Sequence, residues 1–298
     1  MKYNDIPLPG LIGSNPLGAL AAFGLLRVCN DCTALSSARL YWTQEHDWIA
    51  VLRVPHEVNN KQLLIKILAE RQEKRPLSIF NFANDIRVPT GEYREKLDEH
   101  AKRAALHDRL WVDYFAAFGS EIVLDGSKHL VKPTAFYMVS GRQKFLDGVR
   151  KLGASMQSES KEAFEEALFG PWKYADKFHS LGWDPSTERL HALRAKSPSA
   201  GKDVVCVRGA VWLAIEALPL FPTAAVHGKL ATTGFTKDKA TMLVWPVWTA
   251  PIGLDTLKTL LMTSDDEASL YRRGVAAIYR SIRWETGQGG RAVLRSPN

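Results

Sequence analysis

Apolar and polar positions repeat with two different periods along this chain, and each change of period marks an element. From Pro16 the residues Leu17, Leu20, Ala21, Gly24 and Leu25 recur at helical spacing, with Ala19, Ala22 and Phe23 on the flanks. A helix apolar all round is expected to be buried on several sides. Ser14 or Asn15 is placed to accept an early amide hydrogen bond, and Pro16 suits the first helical position. Gly18 and Gly24 predict close packing against another backbone. The period then falls to two over Ala38–Thr43 and Asp47–Val54, with a hairpin-sized gap at Glu45 and His46.

Helical spacing returns from Val58 to Arg71 through Leu63, Leu64, Ile67 and Leu68, and Gly91–Leu110 reads as a long charged surface helix. Thr134–Val139 predicts a strand that turns at Ser140 and Gly141 into a helix over Arg142–Leu152. Ser158–Phe169 predicts another helix, ended by Gly170 and Pro171. The stretch to Lys202 is longer than ordinary loops, as binding loops and lobe boundaries are. Further on, Arg208–Ala217 and Leu254–Leu261 predict helices. Ala225–Gly234, Thr241–Trp248, Val275–Trp284 and Ala292–Leu294 predict strands. Interspersed elements without regular βα alternation give an α+β class, with helices and antiparallel hairpins around a buried N-terminal helix. The 298 residues are expected to form one compact unit, or two lobes that break near 170–202.

Charge changes this picture most. The net charge is +7 and the pI about 9.2, which favours an anionic partner. An odd count of three cysteines argues against a disulfide framework and for a reducing compartment, so a cytoplasmic location is expected. The N-terminal apolar run does not read as a signal peptide, and no stretch approaches a membrane span, so no membrane partner is expected. Cys29 and Cys32 have redox or zinc spacing but stand alone, and the eight histidines are scattered. Asp265, Asp266 and Glu267 suit a helix N-terminus better than a metal site. Without a phosphate-cradling loop or nucleophile elbow, no catalytic residue, metal or cofactor is expected.

What the sequence does offer is cations interleaved with aromatics. Ser140, Arg142, Gln143 and Lys144 gather where a strand delivers the chain to a helix N-terminus, a pattern suited to phosphate. Trp172 and Tyr174 lie beside Lys173 and Lys177, which suits base stacking with phosphate neutralisation. Lys237 and Lys239 sit at an expected hairpin tip. Arg280, Arg283 and Arg291 belong to an arginine-rich C-terminal segment fitted to bidentate phosphate contacts.

The segment Leu8–Arg27, reading LPGLIGSNPLGALAAFGLLR, resembles the opening of CRISPR-associated proteins of type I-G (formerly I-U). Lys132–Phe136 with Ser140–Leu146, Gly182–Pro185 and Trp245–Trp248 are similar to further segments of that group. The resemblance implies a non-catalytic subunit of a Cascade surveillance complex, like its large subunit or a protein tied to its helicase–nuclease. Its implied partners are crRNA, target DNA and other effector subunits. Sequence would be read by base pairing, with the protein supplying backbone contacts and recognising the protospacer-adjacent motif. A metal-dependent nuclease and a protein-only adaptor are the alternatives.

Overall fold

The computed structural model of the chain describes residues 2–104, 109–126, 129–139, 143–187, 205–237, 240–263, 267–285 and 292–296. Its organising element is helix α1 (Pro16–Asn30), every residue of which is buried except the last. Asn15 caps it from an extended backbone conformation. Its Oδ1 accepts hydrogen bonds from the amides of Leu17 and Gly18 at 2.8 and 3.3 Å, satisfying donors that have no partner inside the helix. Gly24 lets α1 lie directly on helix α7 (Arg208–Ala217): a β-carbon there would fall 1.7 Å from the carbonyl oxygen of Leu213.

Two antiparallel sheets flank this helical pair. In the first, β3 (Trp48–Pro55) lies between β1 (Tyr3–Ile12) and β2 (Arg39–Gln44), with Leu8 opposite Ala50 and Leu40 opposite Leu52. The pattern of the chain does not announce β1, because it carries Pro7 and Pro9. Proline is tolerated there since β1 is an edge strand. Helices α2 (Lys61–Glu73), α3 (Thr90–Ala104) and α4 (Leu110–Phe118) follow, then the paired strands β4 (Gly119–Asp125) and β5 (Leu130–Pro133). The expected single helix over Gly91–Leu110 is therefore two elements, α3 and the start of α4.

The segment Thr134–Val139 is not a strand. The Tyr137 amide turns back to the Thr134 carbonyl at 3.0 Å, and the Thr134 amide reaches Phe118 O at 2.8 Å. Helix α5 (Phe145–Ser158) starts at Phe145 and not at Arg142, and α6 (Ser160–Phe169) follows closely. The expected strand Ala225–Gly234 is broken twice. His227 and Gly228, both with positive φ, make a two-residue turn between β6 (Thr223–Val226) and β7 (Lys229–Thr232). A second turn at Gly234, φ 77°, leads into β8 (Phe235–Lys237).

The second sheet has the order β11-β10-β9-β8, with β9 (Thr241–Trp248), β10 (Val275–Glu285) and β11 (Ala292–Arg295) all antiparallel. Helices α8 (Leu254–Met262) and α9 (Glu267–Arg272) lie between β9 and β10 in the chain. Tryptophans fasten the two sheets. Trp245 Nε1 donates to Gly13 O and Trp248 Nε1 to Leu40 O, both at 2.8 Å, and Trp248 packs edge-on to Trp42. The class is α+β, with antiparallel sheets around a buried N-terminal helix. Among the described residues no helix is long and apolar enough to cross a membrane.

Candidate nucleic-acid interface

Where α6 ends, Gly170 takes a positive φ of 63° and the chain turns back across the end of β1. Gly10 permits the approach, because a β-carbon at that position would lie 2.3 Å from Ala167 O. Between the two segments opens a cleft of about 380 Å³. One wall is Pro9, Gly10, Ile12 and Asn15; the other is Phe169, Gly170, Pro171, Trp172 and Tyr174.

The aromatic wall is held in place before any ligand arrives. Trp172 Nε1 donates to Ala167 O at 3.1 Å, and its ring meets Tyr174 edge-on at 6.1 Å. The Lys173 amide donates to Glu166 Oε1 at 2.6 Å. Further along, the Cys206 and Arg208 amides donate to the Asp176 carbonyl and carboxylate, each at 3.0 Å. Burial alternates along this segment. Trp172 and Tyr174 are half-buried, while Lys173 and Lys177 are exposed and within ion-pairing distance of no carboxylate among the described residues. A third cation, Lys61, lies with Nζ 5.6 Å from the ring centre of Phe169.

The polar inventory of the cleft is small. Asn15 is largely committed to the fold: Oδ1 caps α1 twice over, and one N–H of Nδ2 donates to the buried Asp184 at 3.2 Å. The walls are mostly apolar, and the acceptor of Asn15 has no capacity left for reading a ligand's edge.

Of the other expected site residues, none that is described lines this cleft. Ser140, Arg142, Lys239 and Arg291 lie outside the described residues. Gln143 Oε1 is 2.6 Å from His179 Nε2, and Lys144 Nζ is 3.6 Å from Asp85 Oδ2. Asp85 also accepts the Phe145 amide at 3.3 Å and the Tyr137 hydroxyl at 2.9 Å. The start of α5, expected to receive a phosphate, already holds an internal carboxylate. Lys237 is exposed at the end of β8.

Arg280 and Arg283 do not converge either. Positions three apart on β10 point to opposite faces of the sheet. Arg280 pairs with Glu267 of α9 on one face. On the other, Arg283 donates to the carbonyls of Ala135 and Tyr137, each at 3.1 Å, and also pairs with Glu285. Its guanidinium satisfies carbonyls that the expected strand over Thr134–Val139 would have bonded itself.

Cys29, Cys32 and Cys206 are buried free thiols, and no group of three or more His, Cys, Asp or Glu is arranged to hold a metal among the described residues. The wall contributed by β1 was not legible as a site. Its only signal is an exposed Pro7 and Pro9 ahead of a small-residue helix. No protein-family model matches this chain, and no curated protein matches it.

Proposed function

We propose that this chain is a non-catalytic nucleic-acid-binding subunit, of the kind found in type I-G CRISPR surveillance complexes, which grips an unpaired strand in the cleft. One observation carries the reading. The segment with the CRISPR resemblance, Leu8–Arg27, supplies one wall of a cleft whose other wall is the aromatic-basic loop of Trp172 and Tyr174. A base entering the cleft stacks on rigid aromatic faces, while Lys173 and Lys177 neutralise neighbouring phosphates. With the cleft walls mostly apolar, stacking dominates and binding is tolerant of sequence. That suits a protein whose guide RNA does the sequence reading. On this reading the chain works in the cytoplasm with crRNA, target DNA and other effector subunits.

Anisotropy of fluorescein-labelled 20-nucleotide DNA and RNA, titrated between 50 and 200 mM KCl, tests it. Single strands should bind more tightly than duplex. Trp172→Ala should weaken binding about 5- to 100-fold, the range for one lost stacking contact. Lys173→Ala with Lys177→Ala should flatten the salt slope by about 1.4, at about 0.7 per single-strand phosphate contact. A protein that binds no single strand at 50 mM KCl, or a correctly folded Trp172→Ala variant that binds like the parent, defeats the proposal.

A protein-only adaptor is the second reading. It is favoured by Ile122 and Leu124 on β4 and Val226 on β6, which are 70%, 43% and 47% exposed. Retention of effector subunits after nuclease treatment, without oligonucleotide binding by the purified chain, would select it.

A further inference from the structure

The second sheet carries an aromatic and cationic pair that the cleft does not use. Register places Thr236 beside Met242, Met242 beside Ile282, and Ile282 beside Arg295, so four strands present one row on a single face. The neighbouring row on the opposite face, with Leu243 beside Ser281, is buried against the core. Trp284 stands two residues beyond Ile282 and therefore on the same face as that row. Trp284 is 49% exposed, although Val293 directly opposite it is buried. The guanidinium of Arg295 lies 5.6 Å from the Trp284 ring centre. Arg295 is itself exposed and has no carboxylate partner among the described residues.

This differs from every other arginine of the sheet. Arg280 is tied to Glu267, and Arg283 to two carbonyls and Glu285. Arg295 alone among the described arginines of these strands is exposed without a carboxylate partner, with its guanidinium over an indole. A half-exposed tryptophan is a stacking surface open to any base, and a guanidinium fork beside it matches a phosphate's oxygens. The half-buried Ile282 and Met242 extend the apolar floor for the sugar.

We infer that Trp284 and Arg295 form a second contact point for an unpaired nucleotide, the base stacking on the indole and the phosphate held by the guanidinium. The inference rests on the nucleic-acid reading of this chain but is independent of the cleft. The two places are mechanically linked. The Leu294 amide of β11 donates to Gly182 O at 2.8 Å, and Gly182 lies on the same irregular segment that begins with the cleft wall at Gly170. A strand engaged at both points would gain affinity from the fixed spacing between them.

Photo-crosslinking tests this directly. Poly-dT oligonucleotides of about 6 and about 30 nucleotides, each carrying 5-iodouracil, are irradiated with the full chain and the digest is mapped by mass spectrometry. Trypsin cleaves after Arg283 and Arg291, so an adduct on the peptide that begins at Trp284 is the expected result. In parallel anisotropy titrations, Trp284→Ala should weaken the long oligonucleotide about 5- to 100-fold. Arg295→Gln should lower the salt slope by about 0.7 and Arg295→Lys should restore it. Trp284 is half-exposed, so these variants are expected to melt like the parent. If Trp172→Ala weakens binding while Trp284→Ala and Arg295→Gln change nothing and no adduct forms at Trp284, the second contact is refuted and the cleft stands. If Trp284→Ala weakens binding and Trp172→Ala does not, the cleft falls and this site remains. If no variant matters and no oligonucleotide crosslinks, both are refuted.

Discussion

Replacing Glu216 with glutamine should be among the most damaging single changes this protein can suffer, and the reason lies in one buried carboxylate. Glu216 on α7 is wholly shielded from solvent. Its Oε1 accepts from Arg75 Nε at 2.7 Å and Arg71 Nη1 at 3.1 Å, and its Oε2 from the Tyr114 hydroxyl at 3.1 Å and from Arg27 Nη2. Arg27 and Arg75 are themselves buried. Burial opposes ionisation of Glu216, but the nearby guanidinium charges of Arg75, Arg71 and Arg27 outweigh it and hold the carboxyl well below its usual range. Asp31 supplies only a partly exposed second negative charge, 3.3 Å from both Arg27 and Arg71.

Glutamine keeps the shape but removes the charge, and its amide turns a donor toward groups that are already donors. Breaking a buried pair by removing one partner costs about 3–5 kcal/mol. For a chain of this size that is a fall in melting temperature on the order of 10 °C. Urea denaturation followed by circular dichroism at pH 7 measures the loss. The sign in acid follows from the depressed folded value. The stabilisation is complete above the unfolded carboxyl's value of about 4.3 and drains away as pH falls through the lower folded value. The gap between parent and Glu216→Gln should therefore narrow in acid. A loss under about 1 kcal/mol at pH 7, or a gap that stays constant as pH falls, would refute this account.

Three further outcomes follow from packing. Gly24→Ala should destabilise by more than about 2 kcal/mol, because its β-carbon meets Leu213 O at 1.7 Å and overpacking outweighs the helix-propensity gain. Gly148→Ala, with nothing within 4 Å of its β-carbon inside α5, should instead stabilise by up to about 1 kcal/mol; thermal melts compare the two. Trp248→Phe should cost at least about 1 kcal/mol more than Trp42→Phe, since Trp248 Nε1 bonds Leu40 O whereas buried Trp42 Nε1 has no hydrogen-bond partner among the described residues. Equal losses in urea titrations would contradict that contrast. Burial raises the pKa of the Cys29 and Cys206 thiols, so neither should react with a colorimetric disulfide reagent until the protein is unfolded; rapid labelling of the native chain would overturn the burial described.

Local signals in the chain were reliable where the physics is local. The cap at Asn15, the all-apolar α1 and the end of α6 at Gly170 follow from side-chain spacing and backbone preference within a few residues. The loop of Trp172, Lys173, Tyr174 and Lys177 was also legible as a basic-aromatic cluster. Strand β1 was not, because proline argues against a strand until its place at the sheet edge is known. The breaks at His227 and Gly234 were missed because Ala225, Val226, Leu230 and Ala231 keep the run strand-like, and side-chain spacing does not record which residues take a positive φ.

By itself, then, the sequence determined the α+β class, the burial of the N-terminal helix, the excess of positive charge and the basic-aromatic cluster around Trp172 and Tyr174. The tertiary structure decided which charges remain available. Arg283 reaches carbonyls nearly 150 positions earlier in the chain, and Glu216 draws in arginines 141, 145 and 189 positions away. Whether a cation faces solvent or a carboxylate depends on these long-range approaches. No periodicity within a single element records them, because the partner is chosen by how separate helices and sheets pack.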